Sequence, residues 1–127
     1  MTDGLVTTKS AYDIVMTLSR LTDAIAARAM TVFAVIDHAD GAKAAGMELG
    51  PTTLVIFGNA RGGTPLMQKN QRAGIDLPLK ALVWQNSAGV WLTVNDPAWI
   101  TRRHGLDAGQ SEGLAAALKA LTEQAAH

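Results

Sequence analysis

The placement of helix-period apolar residues near the two ends of the chain constrains its fold more than any other feature. One stripe, spaced for a single helix face, consists of Ile14, Leu18, Leu21 and Ile25. A second stripe consists of Leu114, Leu118 and Leu121. Apolar residues three and four apart share one helix face, so the sequence predicts a long helix over 11–29 and another after Ser111. Ser10 and Asp13 form an approximate capping box that is expected to start the first helix.

Short runs of β-branched and apolar residues lie before and between these helices. Five runs, at 5–9, 31–36, 52–57, 77–84 and 90–94, are each predicted to form a strand. The last two are separated by residues 85–89, whose length and final glycine suit an antiparallel hairpin with a bulge. We therefore expect an α+β fold rather than a parallel, doubly wound sheet. The expected architecture is an antiparallel sheet in β-α-β4-α order with two long helices on one face and short helical insertions.

Three short helices are bracketed by start and stop signals. The start signals are a capping side chain, alone or followed by proline, at Asp37, at Thr64-Pro65 and at Asp96-Pro97. The matching stop signals are Gly46, Gly74 and Gly105, where a left-handed backbone ends a helix easily. The glycine-rich segment 58–64 before the second of these helices is predicted to be a loop.

Length and cysteine content limit the classes of protein to consider. The 127 residues, 48% of them hydrophobic, suit a single domain over 1–127 with its own core. The sequence contains no cysteine, which excludes thiol catalysis, thiolate zinc sites, iron–sulfur clusters and a disulfide scaffold. A reducing cytoplasm is therefore the expected location. No motif indicates a metal or a cofactor, and we expect neither.

Charge and hydropathy patterning argue against two classes of partner. Eleven basic and eleven acidic residues cancel and are scattered along the chain, so neither nucleic acid nor an anionic membrane surface is an expected partner. No apolar run approaches the roughly 20 residues of a membrane span. The chain begins with polar residues and lacks the pattern of a signal peptide. We expect a soluble protein that is not exported.

His38 is the first candidate for chemistry, because it lies between Asp37 and Asp40 at a predicted strand-to-helix corner. A helix N-terminus favours the neutral imidazole, which suits a general base or a metal ligand. The two carboxylates are equally well explained by helix capping, and their spacing from the histidine is not diagnostic of a metal site. Both interpretations remain open at this stage.

A glycine-rich segment with one arginine is the second candidate. Residues 58–64 have the general form of an anion cradle, and the guanidinium of Arg61 would add a forked donor. The segment lacks the ending of a phosphate-binding P-loop and the spacing of a dinucleotide fingerprint. It therefore indicates either an ordinary flexible connection or a site for a small carboxylate or phosphate ligand.

Asp76 and Lys80 are the third candidate, because they flank Pro78 and are expected to share one face of an extended segment. Lys80 has aliphatic neighbours and is expected to be partly buried, where its ammonium would seek a carboxylate. A structural ion pair between the two residues is the alternative to a functional role.

The tryptophans are more typical of a core or a dimer contact than of a cofactor stack. Trp84 and Trp91 flank the predicted hairpin at positions where cross-strand partners would meet. His104 directly precedes a predicted helix stop and carries little information by itself.

Several ordered motifs together make the chain resemble domain-of-unknown-function family 302 across nearly its full length. The motifs are Ile36-Asp37-His38-Ala39, Leu49-Gly50-Pro51-Thr52, Ile56-Phe57-Gly58-Asn59, Gly63-Thr64-Pro65-Leu66-Met67, Asp76-Leu77-Pro78-Leu79-Lys80 and Asn95-Asp96-Pro97. Two positions depart from the family pattern, since Ala60 replaces a common proline and Val94 replaces a frequent tyrosine.

The resemblance implies a fold and a partner but no activity. It implies a TATA-binding-protein-like α+β fold, with two helices on one face of an antiparallel sheet, and members that are often homodimeric. A fold of that kind does not by itself imply DNA binding. The absence of the tyrosine argues modestly against a catalytic mechanism shared by the whole family.

Three functional hypotheses follow from these observations. The leading one is a small-ligand-binding or sensory domain in which one polar-edged pocket is lined by His38, Asn59, Thr64, Asp76 and Lys80. Lys80 and Asn59 would orient a small polar or anionic ligand whose body is buried near Phe57. The second is a hydrolase or isomerase with His38 as general base, oriented by Asp76 or Asp40. The third is a structural homodimerisation module.

Overall fold

The protein folds around one five-stranded antiparallel sheet in a computed structural model that describes residues 3–127. The strands are β1 (Leu5–Lys9), β2 (Thr31–Asp37), β3 (Thr52–Gly58), β4 (Leu79–Asn86) and β5 (Gly89–Asn95), in the spatial order β1-β5-β4-β3-β2. The α-helices are α1 (Ile14–Ala27), α2 (His38–Ala44), α3 (Ala60–Lys69), α4 (Pro97–Arg103) and α5 (Glu112–Ala126). Two short 3₁₀ helices cover Gln71–Ile75 and Ala108–Ser111. The predicted α+β class and element order are confirmed.

The core lies between one face of the sheet and the two long helices. Along β4 the alternate residues Leu79, Ala81 and Val83 are buried, whereas the residues between them are only half-buried. The helices α1 and α5 contribute the buried side chains Leu21, Ala24, Ile25, Leu118, Leu121 and Ala125. Burial of one large aliphatic or aromatic side chain is worth roughly 1.5–3 kcal/mol, so this single apolar layer holds the helices on the sheet. Within residues 3–127, neither long helix packs on the other sheet face, where Leu54, Leu82 and Trp84 are half-buried.

Three helices begin where a side-chain cap is available. Asp13, rather than Ser10, caps α1, because its carboxylate accepts the backbone N–H of Met16. Asp37 caps α2 and Asp96 caps α4, as predicted. The predicted stops after these two helices are also confirmed, since the backbone is left-handed at Gly46 (φ +76°) and at Gly105 (φ +67°).

The helix α3 begins earlier than predicted. The segment 58–64 is not a loop, because Asn59 accepts the N–H of Gly62 at 2.8 Å and starts the helix at Ala60. Thr64-Pro65 therefore lies inside the helix, and the predicted start at that pair is wrong. The asparagine cap at position 59, five residues before Thr64, outweighed the proline signal.

The predicted stop at Gly74 is also wrong. The helix α3 ends at Lys69, and Gly74 lies within the 3₁₀ helix that follows. The side chain of Asn70 explains the early end, because its carbonyl oxygen accepts the N–H of Arg72 and caps this second turn.

The hairpin is tighter than predicted. The strands β4 and β5 pair as far as Asn86 and Gly89, which leaves a two-residue loop in place of the predicted five-residue one. The side chain of Asn86 accepts the N–H of Ala88 and the indole N–H of Trp91, and these two bonds stabilise the turn. Trp84 and Trp91 are directly opposite each other, as predicted.

Candidate functional site

A groove of about 730 Å³ lies beside the first turns of α3, a volume within the usual range for small-molecule sites. Its apolar lining comes from α3, α5, the chain around β2 and the entry to β4, and consists of Met30, Phe33, Pro65, Met67, Leu77, Pro78, Leu79, Leu114 and Ala117. Its polar side chains are Arg28, Asn59, Arg61, Thr64 and Gln110. The groove thus combines apolar walls with a few polar groups.

A β-bulge brings an aromatic side chain to the groove. Val32 pairs with Phe57 and Ala34 pairs with Ile56, so Phe33 is the extra residue in the edge strand β2. Phe33 lines the groove and is 55% exposed. Bulges often redirect a side chain next to a site, and this one provides an aromatic surface that regular strand alternation would place elsewhere.

Two adjacent glycines let α3 approach α5 at the groove. A Cβ atom at Gly62 would lie 3.1 Å from Cδ2 of Leu114, closer than side chains normally pack. A Cβ atom at Gly63 would meet Leu77 and Met67 at 3.7 Å, which is an ordinary contact distance. The glycine at position 62 therefore sets the close approach of the two helices, and the neighbouring one leaves groove volume free.

The charged side chains that line the groove are all of one sign. Its charged side chains are those of Arg28 and Arg61, and no carboxylate lines it. Both arginines are exposed, and within residues 3–127 neither forms an ion pair. The charged side chains that line the groove are therefore both positive, although the sequence as a whole is neutral.

The structure brings together only two of the five predicted site residues. Asn59 and Thr64 line the groove. His38 is the exposed first residue of α2, and Lys80 is half-buried opposite Ile56 on the sheet face away from the two long helices. The predicted grouping of five residues in one pocket does not occur. A ligand-binding role for each of the five remains a prediction.

Asp76 takes part in an ion pair, but its partners are not the predicted one. It follows the first 3₁₀ helix, outside the strand that carries Lys80, so the two residues do not share an extended face. Its carboxylate accepts two hydrogen bonds from Arg103, at 3.0 and 3.1 Å, and lies 2.6 Å from Nε2 of His104. The side chain of His104 is only 7% exposed.

His104 is the residue that sequence reasoning missed. It is 28 residues from Asp76, and no local motif connects the two positions. The one available signal was its place in the last turn of a predicted helix with basic neighbours. His38, which attracted more attention, has no side-chain hydrogen bond to any residue in 3–127. His38 is therefore not hydrogen-bonded to Asp76 or Asp40, which were predicted to orient it. Across the same residues, no cluster of three His, Asp or Glu side chains suits a metal ion.

A second exposed region lies at the β2 edge of the sheet. Phe33, Val35 and Ile36 are 55%, 57% and 40% exposed, which is unusual for large apolar side chains of a strand.

Another apolar surface lies on the sheet face opposite the two long helices, where Trp84 and Trp91 stack with ring centroids 6.0 Å apart. Both apolar surfaces lie outside the core between the sheet and the two long helices.

Comparison with known proteins agrees with this fold. The family model described as "Domain of unknown function DUF302" matches residues 6–125. A crystal structure of the uncharacterized conserved protein DUF302 from Bacillus stearothermophilus has a TM-score of 0.88 to this structure. The match covers 98% of this chain and 99% of that one at 15% sequence identity, and so it shows a shared fold.

Closer sequence similarity links the chain to part of longer proteins. Two curated relatives are named Fluoride-specific ion channel FluC 1, one from Brucella suis biovar 1 (strain 1330) and one from Brucella abortus biovar 1 (strain 9-941). Each is 49% identical over 104 residues, which are 81% of this chain. The match covers 41% and 38% of those two proteins, so this chain spans about four tenths of their length. No helix within residues 3–127 combines the length and apolar character needed to cross a membrane.

Proposed function

The chain belongs to the DUF302 family of domains of unknown function, and we propose that it binds a small ligand in the groove beside α3. The observation that carries the proposal is the concave shape of the groove, with apolar walls and a few polar groups at one helix start. A sensory role is included in this proposal, because a domain that binds a ligand reversibly also reports its concentration.

The apolar body of the ligand would contact Phe33, Met67 and Leu114. Methionine and leucine side chains adapt to irregular shapes, and the half-exposed phenylalanine offers a flat surface that a ligand would remove from water. Each square ångström of apolar surface so covered contributes roughly 25 cal/mol before the costs of ordering the ligand. The walls would therefore supply most of the affinity.

Asn59 and Thr64 would orient the polar end of the ligand. The carbonyl oxygen of Asn59 already accepts the N–H of Gly62, which leaves its amide nitrogen as a donor at the groove. Thr64 is exposed one turn further along α3 and offers a hydroxyl group. Lys80, which was expected to share this task, lies on the other sheet face and has no part in the proposal.

The test uses a neutral apolar probe and a variant that fills the groove. We expect 1-octanol to shift the backbone amide NMR signals of Gly62, Gly63 and Leu114 in a saturable manner. Thr64→Trp should abolish the shifts because the indole would occupy the groove. Gln68→Trp is the matched control, since Gln68 is exposed on the same helix and does not line the groove. Shifts that are absent, or that persist unchanged in Thr64→Trp, would rule out this site.

A structural homodimer is a second candidate, favoured by the exposed β2 edge. An edge strand has unpaired backbone groups, and β2 contains neither proline nor lysine to discourage pairing. Two copies related by a two-fold axis would pair their β2 strands antiparallel and cover Val35 and Ile36. Sedimentation velocity should then show a dimer that Val35→Lys converts to a monomer. Val15→Lys, at an exposed position of α1, should leave the dimer intact. A monomeric wild-type protein at high concentration would exclude this candidate.

A role in fluoride physiology is a third candidate, and it comes from the two Brucella relatives. Their name assigns them a fluoride-specific channel, and this chain matches about four tenths of each. We propose on that basis that the domain accompanies fluoride transport. Deletion of its gene should then lower the fluoride concentration that cells tolerate, and the Gln68→Trp variant should restore tolerance. Unchanged growth of the deletion strain in fluoride would remove the support for this role.

A further inference from the structure

We infer that the natural ligand of the groove is an amphiphile with an anionic head group, which Arg28 and Arg61 bind. The inference rests on the proposed ligand-binding function, since it names the class of molecule that the same groove accepts. A carboxylate or a phosphate monoester on an aliphatic or aromatic body fits this description.

The charged side chains that line the groove are both positive. The lining contains two guanidinium groups and no carboxylate, although the whole sequence has as many acidic as basic residues. Arg28 directly follows the end of α1, and Arg61 is in the first turn of α3, so two separate elements bring positive charge to one apolar groove. A neutral ligand would gain nothing from this arrangement, and a cationic one would be repelled.

The other interactions of these arginines leave their guanidinium groups available. Arg103 is bound to Asp76, and the side chain of Arg20 donates to the carbonyl of Gln124, so both have structural roles. Within residues 3–127, the guanidinium groups of Arg28 and Arg61 have no hydrogen bond or ion pair. Across the same described residues Arg72 and Arg102 also have no such partner, but only Arg28 and Arg61 among these four line the apolar groove. A guanidinium fork matches the two oxygens of a carboxylate or phosphate.

The apolar walls distinguish an amphiphile from a simple inorganic anion. A site for phosphate alone would need little more than the helix start and the two arginines. The groove instead extends along Phe33, Met67 and Leu114, and its volume of about 730 Å³ far exceeds that of one phosphate ion. The ligand is therefore expected to carry an apolar body that covers these walls.

Three probes with the same apolar chain and different head groups test the inference. Octanoate, 1-octanol and octylammonium would be titrated at one fixed ionic strength, with inorganic phosphate as a fourth arm. We expect octanoate to bind about fivefold more tightly than 1-octanol, and octylammonium more weakly than either, as one exposed charge pair allows. Phosphate alone should bind more weakly than octanoate.

Variants then assign the preference to the two arginines. Arg61→Gln and Arg28→Gln should each reduce the preference for octanoate over 1-octanol, and the double variant should abolish it while leaving the affinity for 1-octanol unchanged. Arg102→Gln, at an exposed position of α4 outside the groove, is the matched control and should change nothing.

The outcomes separate the inference from the proposed function. Equal binding of octanoate and 1-octanol overturns the inference and leaves the ligand-binding proposal standing. A preference that survives in the double variant also overturns it. Phosphate that binds as tightly as octanoate contradicts the amphiphile. If none of the organic probes binds, the proposed function itself fails.

Discussion

The carboxylate of Asp76 lies 2.6 Å from Nε2 of His104 and joins the end of a 3₁₀ helix to the end of α4. The exposed Arg103 shares the same carboxylate. A further bond from the side-chain amide of Asn70 to the backbone carbonyl of His104 ties the two segments together. This polar cluster therefore fixes the chain between α3 and β4, which includes part of the groove wall.

Loss of the Asp76 carboxylate should destabilise the fold. In Asp76→Ala the imidazole of His104, whose side chain is 7% exposed, keeps its burial and loses its acceptor. A buried polar group without a partner costs about 1–3 kcal/mol, and we expect a loss of about 2 kcal/mol in urea unfolding. Arg103→Gln is the control: it removes a half-exposed charge and should cost less than about 1 kcal/mol. Equal losses in the two variants would contradict the role assigned to His104.

This cluster shows why the site was less predictable than the fold. Asp37 and Asp96 accept hydrogen bonds from N–H groups two or three positions away, so their capping roles can be predicted from the local sequence. The pairing of Asp76 with His104 depends on how α4 packs, which no local pattern encodes. The same limitation applies to Arg28, which lies near the start of α3 because the first residue of β2, Thr31, pairs with the last residue of β3, Gly58. The two predicted site residues that do line the groove, Asn59 and Thr64, are only five positions apart in the sequence.

A close approach between Gly4 and Trp99 gives a second prediction. Gly4 is buried with φ +74°, and a Cβ atom there would lie 2.4 Å from Cγ of Trp99. Gly4→Ala combines a strained backbone with an overlap, and we expect a loss of at least about 2 kcal/mol. Gly46→Ala is the matched control, because φ is +76° and nothing lies within 4 Å. Thermal unfolding should show a loss of about 1 kcal/mol for the control, and a Gly4→Ala loss no larger than that would contradict the overlap.

The helix α3 shows where local signals compete. The sequence predicts a helix start at Thr64-Pro65, whereas in the structure the side chain of Asn59 caps the helix. The structure uses Asn59, because a helix that begins at Ala60 directly continues the chain from β3. The close contact between Gly62 and Leu114 of α5 depends on residues far apart in the sequence, so no local window contains it.

The stacked tryptophans on the open sheet face should couple energetically. Trp84 and Trp91 are direct cross-strand partners with an interplanar angle of 25°. Aromatic pairs of this kind contribute about 0.5–1.5 kcal/mol beyond their burial. A double-mutant cycle of Trp84→Ala and Trp91→Ala in urea unfolding should therefore give a coupling free energy of about 1 kcal/mol. The pair Trp84 and Trp99 serves as the control and should be additive, and a Trp84–Trp91 coupling as small as that of the control would contradict the stacking.

The buried hydroxyl pair between Ser10 and Thr17 gives the last prediction. Thr17 is fully buried, its hydroxyl lies 2.7 Å from that of Ser10, and it donates to the carbonyl of Asp13. Thr17→Val keeps the volume but removes the acceptor to which the hydroxyl of Ser10 donates, while that hydroxyl still accepts the N–H of Tyr12. We therefore expect a loss of about 1–3 kcal/mol in urea unfolding. Thr22→Val, at a more exposed position of the same helix, should stay within about 0.5 kcal/mol of the wild type.

A double variant, Ser10→Ala with Thr17→Val, separates the loss of a hydrogen bond from a loss of packing. If the cost in Thr17→Val comes from the Ser10 hydroxyl that has lost its acceptor, then Ser10→Ala should cost less in Thr17→Val than in the wild type. In both backgrounds it also removes the acceptor of the Tyr12 N–H, so that common cost cancels in the comparison. If the cost instead comes from misfit of the valine, the two substitutions should be fully additive. Additive losses would therefore show that this end of α1 is held by shape and not by the hydrogen bond.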